Sequence, residues 1–144
     1  HLGVGRAALL DYYLVARQLE RVADHAVDVA AVVDRADELP PAAVRDDLAD
    51  LAARSRDVVE AATTAVVESS SERAYAVLDR KDALVDDVRA LDRALFERSP
   101  PGAYAVSRIL AALVRTAACG GNVARVALRT SVRPDGRRRR SSHG

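Results

Sequence analysis

The stretch VGRAALLDYYLVARQLERVADHAVDVAAVVDRA, residues 4–36, decides the fold class. Ala8, Tyr12, Val15, Leu19, Val22, Ala26, Val29 and Val33 recur at steps of three and four, which collects them on one side of a helix and leaves charge on the other. DELPP at 37–41 ends the segment, because paired prolines remove backbone donors and disfavour helical geometry in the residue before them. Pro41 suits the first turn of a following helix. The same periodicity returns over 41–68, with Val44, Leu48, Leu51, Ser55, Val58, Ala62 and Val66 on one face. After SSSE at 69–72, where Ser69 and Glu72 have capping-box spacing, a third helix runs to about 98 with Val77, Leu84, Val88, Leu91 and Leu95 inward, flanked by Leu78 and Val85.

SPPG at 99–102 is the clearest stop, and a fourth helix is expected over 103–131. Its centre is apolar almost all round, as suits a helix packed on several sides. Gly120 and Gly121 inside it each cost about 1 kcal/mol relative to Ala, which predicts a kink or a close approach by another backbone. No segment alternates with period two over a useful length. The expected fold is therefore all-α, an antiparallel bundle of about four helices, each spanning roughly 42 Å and joined by short connections.

Composition narrows the function classes. The 144 residues are 49% hydrophobic and 30% charged, and the apolar run 109–114 is far too short to cross a bilayer, so a soluble single-core domain is expected. Cys119 is the only cysteine, which excludes an internal disulfide and suggests a reducing, cytoplasmic setting. Aromatics at 3% argue against stacking platforms for single-stranded nucleic acid. The absence of Met and the opening HLGVGRAALL inside an apolar periodic segment suggest part of a longer protein. Of the 22 basic residues only Lys81 is lysine. The last twelve residues, RPDGRRRRSSHG, hold five of the basic and one of the acidic residues, leaving a body with 17 basic against 20 acidic side chains and a basic, solvated tail.

The candidate chemistry lies on two helices. Glu20, Asp24 and Asp28 recur every four residues and form one carboxylate column, flanked by Arg17, Arg21 and His25. Like charges at i and i+4 are mildly destabilising unless a cation sits among them, and that cation is either a neighbouring Arg or a bound metal. On the third helix Asp79, Asp82 and Asp86 lie opposite the buried stripe, again as a charged face or as a surface metal site. All-oxygen donors of this kind suit Mg, Mn, Fe or Ca. Arg108, Arg115, Asn122 and Arg129 repeat every seven residues as a polar stripe, which is either a solvated face or an anion contact. Cys119 reads as a small core residue, with no nearby His in the sequence to activate it.

The run RQLERVADHAVDVA, residues 17–30, resembles the signature of the PhoU family of phosphate uptake regulators, approximately RxxERxxDHAxxIA. Arg17, Glu20, Arg21, Asp24, His25, Ala26 and Ala30 match, and Val29 fills the apolar place. The resemblance implies three-helix repeats with the signature on the third helix. Residues 1–38 would then hold the last helix of a first repeat, 39–131 a second repeat, and 132–144 a basic tail. It further implies a metal site of ExxxD or DxxxD motifs, here Glu20 and Asp24 with Asp28 beside them, and Asp82 and Asp86. The ion would be Fe, Zn, Mg or Mn. In the fourth helix the corresponding stretch, residues 115–127, carries Ala118 and Asn122 where the first has Glu20 and Asp24.

The function so implied is a cytoplasmic, non-enzymatic helical adaptor in phosphate uptake and signalling. It would be homodimeric, and its partner would be the phosphate transporter's ATPase subunit or a sensor kinase. No Gly-rich phosphate loop, recognisable Ser/His/Asp spacing or ExxH pair argues for catalysis. Two other classes remain open: a dimerisation domain of a nucleic-acid-binding regulator that uses the Arg-rich tail, and a carboxylate-lined metal enzyme.

Overall fold

The computed structural model describes residues 2–132, with the surroundings of side chains given from residue 5 onward. Of the expected basic tail, 132–144, Val132 ends the last helix and residues 133–144 lie outside the described residues. The chain folds as four helices, α1 Leu2–Arg35, α2 Ala42–Val67, α3 Ser71–Arg98 and α4 Ala103–Val132, and no strand occurs among the described residues. The all-α bundle expected from periodicity is the fold observed.

Local chemistry sets the helix ends. Ser70 is the N-cap of α3, its side chain accepting from the Arg73 N–H at 3.2 Å, and the Arg73 guanidinium reaches back to Glu68 at 2.7 Å. The capping residue is thus one place later than the Ser69–Glu72 spacing predicts, because Ser69 is taken up in the turn with φ 49°. At the other end of α3, Ser99 adopts a left-handed conformation and its N–H closes on the Leu95 carbonyl at 2.8 Å. Gly102 has φ 74°, a conformation open to glycine at little cost, and its N–H donates to Glu38 Oε2 at 3.4 Å. The α1–α2 and α3–α4 connections therefore touch at one end of the bundle.

α4 is the axis of the molecule: α1, α2 and α3 all pack on it, and α2 also packs on α3. This explains its apolar circumference, with Val106, Leu110, Ala117, Val123 and Ala124 at 1% exposure or less. Burying a side chain the size of Leu110 or Val106 contributes about 1.5–3 kcal/mol relative to exposure. α4 is long and apolar enough to cross a membrane by length and composition, and most of that window is covered by the other helices. The glycine pair serves close approach rather than a kink. α4 runs unbroken through it, and a Cβ on Gly120 would stand 2.7 Å from Val58 Cγ1 on α2.

The inward faces of α2 and α3 are those the sequence predicts, with Leu51, Ser55, Val58, Ala62 and Val66 buried on one and Val77, Leu84, Val88 and Leu95 on the other. Ser55 is 1% exposed and spends its proton on the Leu113 carbonyl of α4 at 3.3 Å, which removes the penalty of burying a hydroxyl. α1 differs from expectation. Of its predicted stripe Val15 is buried, but Tyr12, Leu19, Ala26 and Val33 are exposed. The face that meets α4 is rotated, running through Asp11, Leu14, Val15, Gln18, Val22, His25, Val29 and Val32. Apolar residues of α1 spread over a broad arc that the α4-facing stripe only partly uses, so periodicity could not choose which part α4 would cover.

Candidate functional site

The polar groups that the fold brings together lie along the seam of α1 and α4. These helices run antiparallel, since the end of α1 and the start of α4 share the end of the bundle where Gly102 meets Glu38. Asn122 Nδ2 donates to Gln18 Oε1 at 3.2 Å, and Arg125 donates to Asn122 Oδ1 at 3.2 Å. One turn pair further along, His25 Nδ1 and Thr116 Oγ1 are 3.4 Å apart. The Thr116 hydroxyl donates to the Ala112 carbonyl at 2.9 Å, which leaves its oxygen free to accept from His25 in the tautomer that carries a proton on Nδ1. His25 is thus an orienting group between helices.

Between these contacts lies a groove of about 330 Å³ lined by Arg21, Asp24, His25, Arg115, Ala118, Cys119 and Asn122. Cys119 is 4% exposed, and burial pushes its thiol above the ordinary value while the Arg21 guanidinium opposes the shift. The thiol is held protonated, consistent with a small core residue. A second cleft, of about 820 Å³, opens where α1 ends and α4 begins, with Asp28, Arg35, Glu38, Tyr104 and Arg108 on its walls.

The carboxylates singled out from spacing are distributed over this surface. Glu20 is exposed and pairs with Arg17 at 3.9 Å, Asp24 faces the groove, and Asp28 faces the end cleft. On α3, Asp82 pairs with Lys81 at 3.1 Å and Asp86 is exposed. α1 and α3 each pack on α4 and share no substantial interface, so the two acidic sets are not brought together. Among the described residues no group of three His, Cys, Asp or Glu side chains is placed to hold a metal ion. The oxygen donors that α1 offers at the signature are Glu20, Asp24 and, one turn on, Asp28, fewer than the roughly six oxygen ligands that hard cations take.

Sequence reasoning missed Gln18 and His25 as the residues facing α4. With Asp11 and Leu14 they stand at steps of three and four from Val22 and Val29, which the predicted stripe already held, and their polarity hides them from a search on hydrophobicity. Comparison of the chain with protein-family models, curated proteins and solved structures finds no match.

Proposed function

We propose that this chain is a PhoU-like regulator of phosphate uptake and phosphate signalling, a helical adaptor that works by docking rather than by catalysis. The observation that carries the reading is the relation between α1 and α4. Setting Arg115 on Arg17, as the resemblance does, makes Asn122 the counterpart of Asp24 and Thr116 the counterpart of Gln18. The contacts then fall in an approximately symmetric pair, one residue out of exact register. Gln18 meets the counterpart of residue 24, and His25 meets the counterpart of residue 18, about a common centre at Arg21 and its counterpart Cys119. Such a local pseudo-dyad is what two tandem repeats packed by their last helices produce.

The acidic column supports docking. Arg17, Glu20, Arg21, Asp24 and Asp28 are all exposed on one side of a rigid helix, a surface suited to a charged partner such as the transporter's ATPase subunit or a sensor kinase. Glu20 and Asp24 contribute charge to that surface, and any metal ion there would draw further ligands from water or from the partner. Calorimetric titration of the chain against the ATPase subunit and against the kinase's cytoplasmic portion tests the proposal, together with phosphate uptake by cells carrying the double variant Arg17→Ala/Asp24→Asn. A saturable complex weakened at least tenfold by the variant, with uptake no longer responding to phosphate, is expected. Absence of binding to both partners and unchanged uptake would overturn it.

A further inference from the structure

We infer that the outer stripe of α4 is a second docking surface, for a partner helix that carries acidic side chains along one edge. α4 is the one described helix without an acidic residue. Its 30 residues hold Arg108, Arg115, Arg125 and Arg129 and neither Asp nor Glu, whereas α1, α2 and α3 carry five, five and seven acids. All four arginines are exposed, and among the described residues none of them forms an ion pair. Arg125 donates to the neutral Asn122 alone. The positive charge of the central helix is therefore left open to solvent rather than neutralised within the chain.

Spacing and relief select a helix as the occupant. Arg108, Arg115, Asn122 and Arg129 stand seven residues apart, roughly 10.5 Å of rise per step and roughly 31 Å in all. A second helix laid along α4 repeats its own side chains at the same interval, so one acid in each heptad meets each basic step in turn, and Arg125 adds a contact one turn before Arg129. Ala111 and Ala118, also exposed, separate the arginines and add no bulk, so the backbones can approach to the short end of the roughly 8–10 Å range for packed helices. Charge at the margins disfavours a broader polyanion. Asp24 lines the same groove as Arg115, Asp28 lines the same cleft as Arg108, and on the other flank Asp92 of α3 accepts from the Ser107 hydroxyl at 2.9 Å. A nucleic-acid duplex or an anionic membrane would press phosphates against these carboxylates, and Tyr104 is the one aromatic ring that α4 offers for bases to stack on. A helix with acids on the edge toward α4 and lysine or arginine on the edge toward α1 meets both signs of charge.

The test uses the full chain with Arg137→Gln, Arg138→Gln, Arg139→Gln and Arg140→Gln as background, so that the basic run beyond α4 does not itself capture the probe. The probe is a fluorescein-labelled, alanine-based helical peptide of about four heptads, with Glu along one edge and Lys beside it, compared with a peptide of the same composition in shuffled order. Fluorescence anisotropy at about 0.1 M salt is expected to show saturable binding of the patterned peptide, roughly tenfold or more tighter than of the shuffled one, and weaker as salt rises. Arg115→Glu/Arg129→Glu should weaken it by a similar factor, with far-UV circular dichroism unchanged because both residues are exposed. A peptide with Lys in place of Glu on the edge should bind this double variant better than it binds the background chain. No saturable binding, equal binding of the two peptides, or indifference to the double variant would overturn the inference. So would tighter binding of a DNA duplex or of phosphatidylserine vesicles than of the patterned peptide, which would give the stripe to a nucleic acid or to a lipid surface. The measurement stands apart from the role in phosphate regulation, which the calorimetric titration tests.

Discussion

Gly120 is the position where helix propensity and packing make opposite demands, and Gly120→Ala measures which wins. In a helix interior, alanine gains about 1 kcal/mol over glycine. Against this, the added Cβ would lie 2.7 Å from Val58 Cγ1, while the Val58 carbonyl carbon and oxygen, both at 3.5 Å, are at ordinary contact distance. Val58 is 2% exposed and β-branched, so its methyl cannot swing aside without leaving its rotamer or pushing on the core. Overpacking of this kind costs about 1–3 kcal/mol. The expected net effect is a destabilisation of about 1 kcal/mol, or ~2–4 °C in Tm for a domain of this size.

The decisive comparison is made in a Val58→Ala background. Val58→Ala alone costs about 2 kcal/mol in lost burial and residual cavity. With the methyls gone, Gly120→Ala should become stabilising, a coupling of about 1–3 kcal/mol between the two positions. Gly121→Ala is the control: its Cβ would meet Lys81 Cδ at 3.0 Å, on a side chain that can move, so it should be neutral or stabilise by up to about 1 kcal/mol. Urea unfolding followed at the helix band gives all the values. If Gly120→Ala stabilises the protein as Gly121→Ala does, and shows no coupling to residue 58, the close approach of α2 and α4 is wrong.

Three further outcomes follow from the same geometry. Ser70→Ala should destabilise by about 1 kcal/mol in urea unfolding through loss of the cap on Arg73 N–H, and Ser69→Ala by less. The Cys119 thiol is raised by burial, so the folded state holds its proton more tightly than the unfolded state. That stability is fully present below the unfolded pKa and is lost as pH rises through the folded one. Unfolding at pH 8 and pH 10 should therefore show a larger alkaline loss for the native chain than for Cys119→Ala, and the native thiol should react slowly with a disulfide reagent until urea is added. Asp87→Asn removes the 2.7 Å pair with Arg54 that joins α3 to α2. As the pair is partly exposed, the change should cost less than about 1 kcal/mol and should shrink further in high salt.

The fold was legible where one physical rule acted alone. Proline pairs stop helices whatever surrounds them, so the breaks at Pro40–Pro41 and Pro100–Pro101 could be read directly. The narrow apolar stripes of α2 and α3 left a single face to bury. α4 had to be central because its apolar residues go all the way round, and its glycines had to mark a close approach or a bend. The sequence did not reveal which part of the broad apolar arc of α1 would meet α4. That choice depends on the surface of a helix nearly a hundred residues further along, as the His25–Thr116 and Gln18–Asn122 contacts show. The site was less legible still. Helical spacing puts Glu20, Asp24 and Asp28 on one column, but the distance from that column to Asp82 and Asp86 is a property of the packing, and α4 stands between them.

The central place of α4 bears on how the molecule comes into being. Of the four described helices α1 is synthesised first, and the one among them that it packs against extensively is synthesised last. Until α4 emerges, α2 and α3 can pair as a hairpin, but neither offers α1 an extensive interface, and the stripe of α1 that α4 will cover stays open. The native arrangement is then a late, long-range event, slow for an all-helical protein because its closing contacts join segments far apart in the chain. A chain that stops short of α4 leaves the Leu14–Val15–Val22–Val29 side of α1 without its cover, a sticky surface of the kind chaperones and proteases seize.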